Sequence, residues 1–224
     1  MPVLDILDLF IDDIPRSGPE QMALDEALFE RASRPILRTY RWSEEWVTFG
    51  FSQSQSAVAK AVGETPCVRR WTGGGIVEHR GDFTFALIVP RMDAFAKIRP
   101  CESYRVIHRA MARALERAGK AVTLAGPVPA AAPGACFAGT PAEADLLGAD
   151  GLKVCGGAQR RTQQGILHQG SLQQTDIPPG LSNALAFQLS DRVEEFVPQT
   201  DLNDRVTELI SARYGSDAWN RRIL

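Results

Sequence analysis

Residues 69–79, Arg-Arg-Trp-Thr-Gly-Gly-Gly-Ile-Val-Glu-His, restrict the fold more than any other stretch. A strand-like run over residues 67–72 enters three consecutive glycines, and an apolar run ending in residues 83–89 leaves them. Three adjacent glycines lose a large amount of chain entropy on folding, and a β-rich core has no packing use for them. What they offer is a turn with free choice of φ and bare amides that a ligand can approach closely. Arg69 and Arg70 supply fixed positive charge and forked donors suited to carboxylate or phosphate. His79, four residues past the last glycine, adds a polar group on the way out. For a glycine triplet alone, a hairpin with solvated arginines is the plainer reading. The flanking Arg-Arg and His favour a ligand loop.

A second unusual stretch is Leu-Lys-Val-Cys-Gly-Gly-Ala-Gln-Arg-Arg-Thr at residues 152–162. Lys153 sits in a strand-like run just before a Gly-Gly-Ala segment read as a turn, so its ammonium could be held over whatever that turn cradles. A lysine so placed acts as a point charge and stabilises negative charge developing on oxygen. A solvated strand lysine is the alternative, and spacing does not separate the two. Arg160 and Arg161 form another basic pair. His168 follows in an alternating strand, where a core or cross-strand role is equally open.

Bulk numbers exclude several classes. The formal net charge of −2 creates no global field that would hold nucleic acid. The longest apolar runs, such as residues 83–90, are far too short to span a bilayer. The N-terminus, Met-Pro-Val-Leu-Asp, shows no signal-peptide pattern. Cys67, Cys101, Cys136 and Cys155 are widely separated, and none of the three histidines stands at a ligand spacing from another. A metal site is therefore not expected, and a reduced, cytoplasmic compartment is.

Along the chain, residues 4–11 predict a strand and residues 17–32 a helix, with Ser17 and Pro19 at its start. Residues 36–42 and 46–51 predict two strands joined at residues 43–45, and residues 56–62 a short helix. Residues 101–119 give the clearest helix, with Ile107, Met111 and Leu115 at helical spacing and Gly119 as its cap. His108 lies on or beside that apolar face, as a core or boundary residue. Residues 121–124, 145–147, 152–155 and 165–172 predict strands, the last two separated by a break at residues 156–164. From residue 178 onward the signals are helical. Short strands mixed with helices give α+β, mixed α/β, with largely antiparallel sheets, in one domain over residues 1–224.

Together the motifs resemble the biotin/lipoate protein ligase catalytic-domain family, in its lipoate ligase and octanoyltransferase branch. Residues 69–79 look like that branch's Arg-Arg-x-[Ser/Thr]-Gly-Gly-x-x-x-x-His signature. Residues 152–161 look like its Lys-[Ile/Val]-x-Gly-x-Ala-Gln-x-Arg block, and His168-Gln-Gly-Ser-Leu like its His-x-Gly-Ser-Leu strand. Met22-Ala-Leu-Asp-Glu-Ala-Leu fits the family's first helix and residues 38–50 its arginine, tryptophan and glycine hairpin. The match runs from about Gln21 to Leu172 in the family's own order.

The resemblance implies a mixed sheet flanked by helices around a tunnel for a medium-length acyl chain. Lys153 would contact the acyl carbonyl or acyl-adenylate. Gly73, Gly74 and Gly75 would line the acyl and phosphate region with Arg70, Gly156, Ala158 and His168, and His79 would border the pocket. The reaction implied is transfer of a lipoyl or octanoyl group to a lysine of a small lipoyl carrier domain, of the glycine cleavage H protein or 2-oxoacid dehydrogenase E2 type. Ala135-Cys-Phe-Ala-Gly-Thr-Pro resembles the Cys-Phe-x-x-Pro segment of the cysteine-dependent octanoyltransferases, with one extra residue before the proline. That makes Cys136 the nucleophile of a thioester route with acyl carrier protein as donor, its thiolate favoured by Lys153.

Two other readings stand beside this one. An ATP-dependent lipoate ligase would work through lipoyl-adenylate with ATP and Mg²⁺. About fifty residues follow Leu172, too few for the C-terminal accessory domain of long ligases, so that reading calls for a partner subunit or a pre-formed adenylate. Asp82 stands where ligases carry an Asn near the nucleotide metal, and the aromatic often found before Asp145 is missing. A non-catalytic acyl- or carrier-binding protein is the third reading. In none of them is a tightly bound cofactor expected; lipoate or octanoate is substrate.

Overall fold

Strand β1 (Leu7–Arg16), helix α1 (Gly18–Arg31) and strand β2 (Ile36–Trp42) open the fold, with β1 and β2 parallel and α1 carrying the chain back between them. They belong to a computed structural model that describes residues 2–127, 141–173, 176–199 and 201–222. α1 begins where its sequence signals place it. The Glu20 carboxylate accepts the Ser17 backbone N–H at 2.8 Å, and Pro19 fills the first turn, where no intrahelical N–H is needed. Met22, Ala23, Ala27 and Leu28 are then buried on the sheet.

β3 (Trp46–Phe49), α2 (Gln55–Val62), β4 (Cys67–Arg69) and β5 (Val77–His79) build a separate small sheet in the order β4-β3-β5. The hairpin expected over residues 38–50 therefore does not form. β2 pairs with β1 on one side and with β6 (Phe83–Pro90) on the other, so neither of its edges is left for β3. The chain continues through α3 (Pro100–Arg117), β7 (Thr123–Leu124), β8 (Leu146–Leu147), β9 (Lys153–Thr162) and β10 (Gly165–Leu172). It ends with α4 (Leu181–Leu189), β11 (Val193–Glu195), α5 (Leu202–Leu209), a π-helical turn over Ile210–Tyr214, and α6 (Asp217–Asn220).

The large sheet has the order β11-β1-β2-β6-β10-β9-β8-β7, parallel among its first three strands and antiparallel from β2 onward. This is the mixed α/β, largely antiparallel fold expected from the sequence. α3 and α4 cover one face over Leu37, Phe85, Leu87, Ile107, Met111 and Leu185. α1 and α5 cover the other over Leu28, Ile36, Ala86, Ile88 and Leu202.

Two local expectations fail. The break at residues 156–164 is mostly strand: β9 runs on to Thr162 and pairs with β10 from Cys155↔Leu172 to Thr162↔Gly165. Its glycines are there for close approach of side chains rather than for turning, as the site below shows. β11 was missed because three residues on a sheet edge, parallel to β1, are too few for an alternation to register.

Arg69 is fully buried and holds the C-terminal segment. Its guanidinium donates to the carbonyls of Phe51, Gln53, Trp219, Asn220 and Arg222 at 2.6–3.4 Å, while Trp219 Nε1 donates back to the Arg69 carbonyl at 3.0 Å. Arg69→Met is expected to accelerate hydrogen exchange of the amides in α5 and α6 about tenfold or more, leaving β6 and β10 unchanged. Equal acceleration in both regions would show that the arginine supports the whole core.

Candidate active site

The glycine turn is built from behind by Arg70. Its Nη2 donates to the carbonyls of Gly73 and Gly75, both at 2.9 Å, and its Nη1 donates to Thr48 Oγ1 at 2.7 Å. From the other side Gly50 presses against the turn: a Cβ there would lie 2.0 Å from the Gly74 carbonyl oxygen. Gly74 itself has φ +90°, a conformation glycine adopts at no steric cost. The loop is thus fixed in shape before any ligand arrives.

His79 continues the polar chain. Thr48 Oγ1, which accepts from Arg70, donates onward to His79 Nε2 at 2.9 Å, and His79 Nδ1–H donates to Asp82 Oδ2 at 2.9 Å. Thr84 and Ser171 hydroxyls donate to the same carboxylate oxygen at 2.8 and 2.5 Å. Burial works against a charged Asp82, but His79, Ser171 and Thr84 outweigh it and hold its carboxyl below the usual carboxylate range. Trp42 stacks on His79 at 4.0 Å and donates to Thr84 at 2.8 Å, which fixes the imidazole plane. Met22, Tyr40, Trp42, Val77, Gly156 and Ala158 line a narrow cavity between the two sheets, with Arg70 and His79 at its polar side.

Lys153 enters from β9. Its Nζ lies 2.8 Å from Asp145 Oδ2, with both side chains 5% exposed, and the Ala142 N–H donates to the same oxygen at 2.7 Å. The lysine stem folds over Gly156: a Cβ on that residue would lie 2.4 Å from Lys153 Cε and 2.6 Å from Nζ. Gly156→Ala must therefore push the ammonium away from its seat. It is expected to lower the acyl transfer that the family resemblance implies about tenfold or more while shifting the melting temperature by only a few degrees. Unchanged turnover would mean that the lysine position does not matter.

His168 lies on the opposite face of the sheet from this cavity. It stacks with Phe85 at 5.8 Å between centroids and meets Tyr104 and His108 edge-on at 5.4 and 5.5 Å. Burial first, then the charges of His108 and Arg161, push its imidazole well below the ordinary value, and burial lowers His108 too. Both rings are neutral at pH 7. His168 Nε2 is packed against Gly157, where a Cβ would lie 2.4 Å away, so the second glycine of β9 admits the histidine. His108 is a fully buried residue of α3, donating from Nδ1 to the Ala144 carbonyl at 2.6 Å.

The structure brings together Arg70, Gly73–Gly75, His79, Gly156, Ala158 and Lys153 from the sequence-derived set, and separates His168 from them. Cys136 lies outside the described residues. Sequence reasoning missed Thr48 and Trp42, single polar or aromatic positions in strands whose side chains look like sheet filling. It also passed over Asp145 as the partner of Lys153, since eight residues and a turn separate them.

A family model described as the lipoyl protein ligase A/B catalytic domain matches residues 17–209. The chain belongs to that family. Like other members of the lipoyl ligase family, it is an enzyme. Among its curated relatives is the octanoyltransferase LipM of Symbiobacterium thermophilum, 33% identical over 211 residues that cover 87% of this chain and 73% of the relative. The LipM of Bacillus subtilis is 30% identical over 226 residues, 93% of this chain and 80% of the relative. In fold the chain is similar to a lipoate protein ligase from Thermoplasma acidophilum, at TM-score 0.79 and 19% identity, covering 96% of this chain and 98% of that one. It is also similar to a lipoate-protein ligase A bound with ATP, at TM-score 0.78 and 20% identity, covering 97% and 99%. The family and fold expected from residues 21–172 are thereby established. Among the described residues no helix is long and apolar enough to cross a membrane.

Proposed function

We propose that the enzyme transfers an octanoyl group to the lysine of a lipoyl carrier domain through a cysteine thioester, with acyl carrier protein as donor. The observation that carries this is the Asp145–Lys153 pair, a buried ammonium held over a bare glycine at the edge of an apolar cavity. Lys153 is the cation that polarises the acyl carbonyl, the Gly73–Gly75 loop and Arg70 frame the acyl end, and His79, Gly156 and Ala158 border the chain. In the first step the Cys136 thiolate, its proton already lost to solvent, attacks the donor thioester carbon; the carbon–sulfur bond to the donor breaks, and the donor sulfur leaves as a thiolate that takes a proton from solvent. In the second step the neutral carrier lysine amine attacks the Cys136 thioester, the carbon–sulfur bond breaks as the amide forms, and the proton lost by the amine passes to solvent or to the released Cys136 thiolate.

The curated relatives named as octanoyltransferases support a transferase over a ligase. Asp82 stands where the family pattern has an asparagine near the nucleotide metal; its Oδ2 accepts from His79, Thr84 and Ser171, while its Oδ1 is buried without a partner among the described residues. Intact mass spectrometry after incubation with octanoyl-acyl carrier protein tests the reading. The expected result is a gain of one octanoyl group, removed by hydroxylamine and absent in Cys136→Ser. No adduct, with pyrophosphate released from ATP only when lipoate is present, would replace it with the ligase reading. Binding of octanoate or a lipoyl domain without turnover from any donor would leave an acyl-binding protein.

A further inference from the structure

Three arginines and three aromatic rings form a closed alternating belt beside the glycine loop. The Arg160 guanidinium lies over Phe51 and Trp71 at 5.1 and 5.0 Å, and Arg222 over Phe51 and Trp219 at 3.8 and 5.1 Å. Arg213 closes the belt over Trp219 and Trp71 at 4.9 and 5.7 Å. Arg213 is paired with Glu26. Among the described residues Arg160 and Arg222 donate no side-chain hydrogen bond and make no ion pair, and the Nε of each is buried without a partner. Stacking holds these guanidinium planes in place but satisfies none of their donors. Burial, followed by the nearby charge of Arg222, also pulls Arg69 below its ordinary value. The cluster thus has an excess of fixed, oriented donors, and among the described residues no carboxylate pairs with Arg160 or Arg222.

We propose that this belt binds the phosphodiester at the end of a pantetheine thioester arm, the part of the acyl donor that does not react. The proposal rests on the thioester reading above. Arg160 and Gly156 stand four residues apart on one face of β9, about 13 Å along the strand, and Lys153 rests on Gly156. In a pantetheine thioester about fourteen bonds separate the acyl carbon from phosphorus, an extended reach of about 17 Å. An acyl-adenylate places its phosphate directly on the acyl carbon and would leave the belt unused. Forked arginine donors suit a phosphodiester, and the aromatic walls suit the apolar gem-dimethyl end of the arm. A carrier protein presents this group as a phosphodiester and coenzyme A as a diphosphate, and both place a charged phosphorus at the same distance from the thioester.

Calorimetric titration of the full chain with 4′-phosphopantetheine and with pantetheine tests the site without catalysis. The phosphorylated compound is expected to bind about ten- to a hundredfold more tightly, with the ratio falling as salt is raised. Arg160→Gln and Arg222→Gln are each expected to cut the ratio severalfold, and Arg160→Lys to keep part of it. Equal affinity for the two compounds, or a ratio untouched in both glutamine variants, overturns the proposal; if the variants do not fold, the wild-type ratio and its salt dependence decide. Displacement by coenzyme A or by holo-carrier protein assigns the source of the arm, and displacement by neither counts against the site. Octanoyl transfer from octanoyl-pantetheine, which carries no phosphate, reports on the thioester reading alone.

Discussion

Lys153→Met is expected to lower acyl transfer by about a hundred- to a thousandfold, the loss that follows removal of one preorganised donor to a developing oxyanion. The ammonium has a fixed seat at Asp145, so it needs no reorganisation as negative charge grows on the carbonyl oxygen. Methionine keeps the length and removes the charge. The same change leaves the 5%-exposed Asp145 carboxylate with the Ala142 N–H but without its cation, which costs stability by about 3 kcal/mol. The two effects separate in the double variant Lys153→Met/Asp145→Asn. Its melting temperature should return most of the way to wild type while transfer stays low, in kcat rather than in donor KM. Recovery of transfer along with stability would reduce Lys153 to a structural role.

Arg38→Met is expected to have the largest effect on stability. The guanidinium is fully buried, donates to Asp12 at 2.7 and 3.1 Å and to Asp25 at 2.6 Å, and stacks on Tyr40 at 4.1 Å. Removing it leaves the buried Asp25 carboxylate without a cation and Asp12 with Arg16 alone, a change worth about 3–5 kcal/mol. For a chain of this size that lowers the melting temperature by about 10–15 °C. The damage also reaches the site. Asp25 accepts from Gln169 at 2.7 Å, and Gln169 accepts from Thr72, the residue before the glycine loop, at 2.7 Å.

The pH dependence has a definite sign. Burial already pushes the Asp25 carboxyl above its ordinary value against the pull of Arg38, and without Arg38 it rises further. A carboxyl with a raised folded pKa binds more protons in the native than in the unfolded state, so stability falls as pH rises through that range. The variant should therefore melt higher at pH 5 than at pH 7.5. A pH-independent deficit would show that Asp25 stays ionised without its partner.

How much of this was legible in the sequence follows from where each signal resides. The capped helix α1, the 3.6-residue stripe of α3 and the glycine triplet are local features, and each appears where its residues say. The motif order around Arg70, the glycines and Lys153 was enough for the family and for the mixed sheet. What the chain could not show locally was who pairs with whom. The hairpin expected over residues 38–50 is absent because β2 has both edges taken, a fact about β1 and β6. Gly156 and Gly157 looked like a turn, yet they are strand residues whose missing side chains make room for Lys153 and His168 on opposite faces.

Arg69 and Arg70 are the sharpest case. Adjacent in sequence and identical in chemistry, they looked like one pair of ligand donors. On a strand, neighbours point to opposite sides, so Arg70 frames the glycine loop while Arg69 holds the C-terminal segment by its carbonyls. Propensity, capping and motif spacing are local, so the main helices, most strands and the residue types that carry the chemistry could be read from the chain, while β11 and the full length of β9 could not. Tertiary structure alone decided sheet membership, the face each side chain takes and the Lys153–Asp145 pairing, because those depend on contacts between segments far apart in the chain.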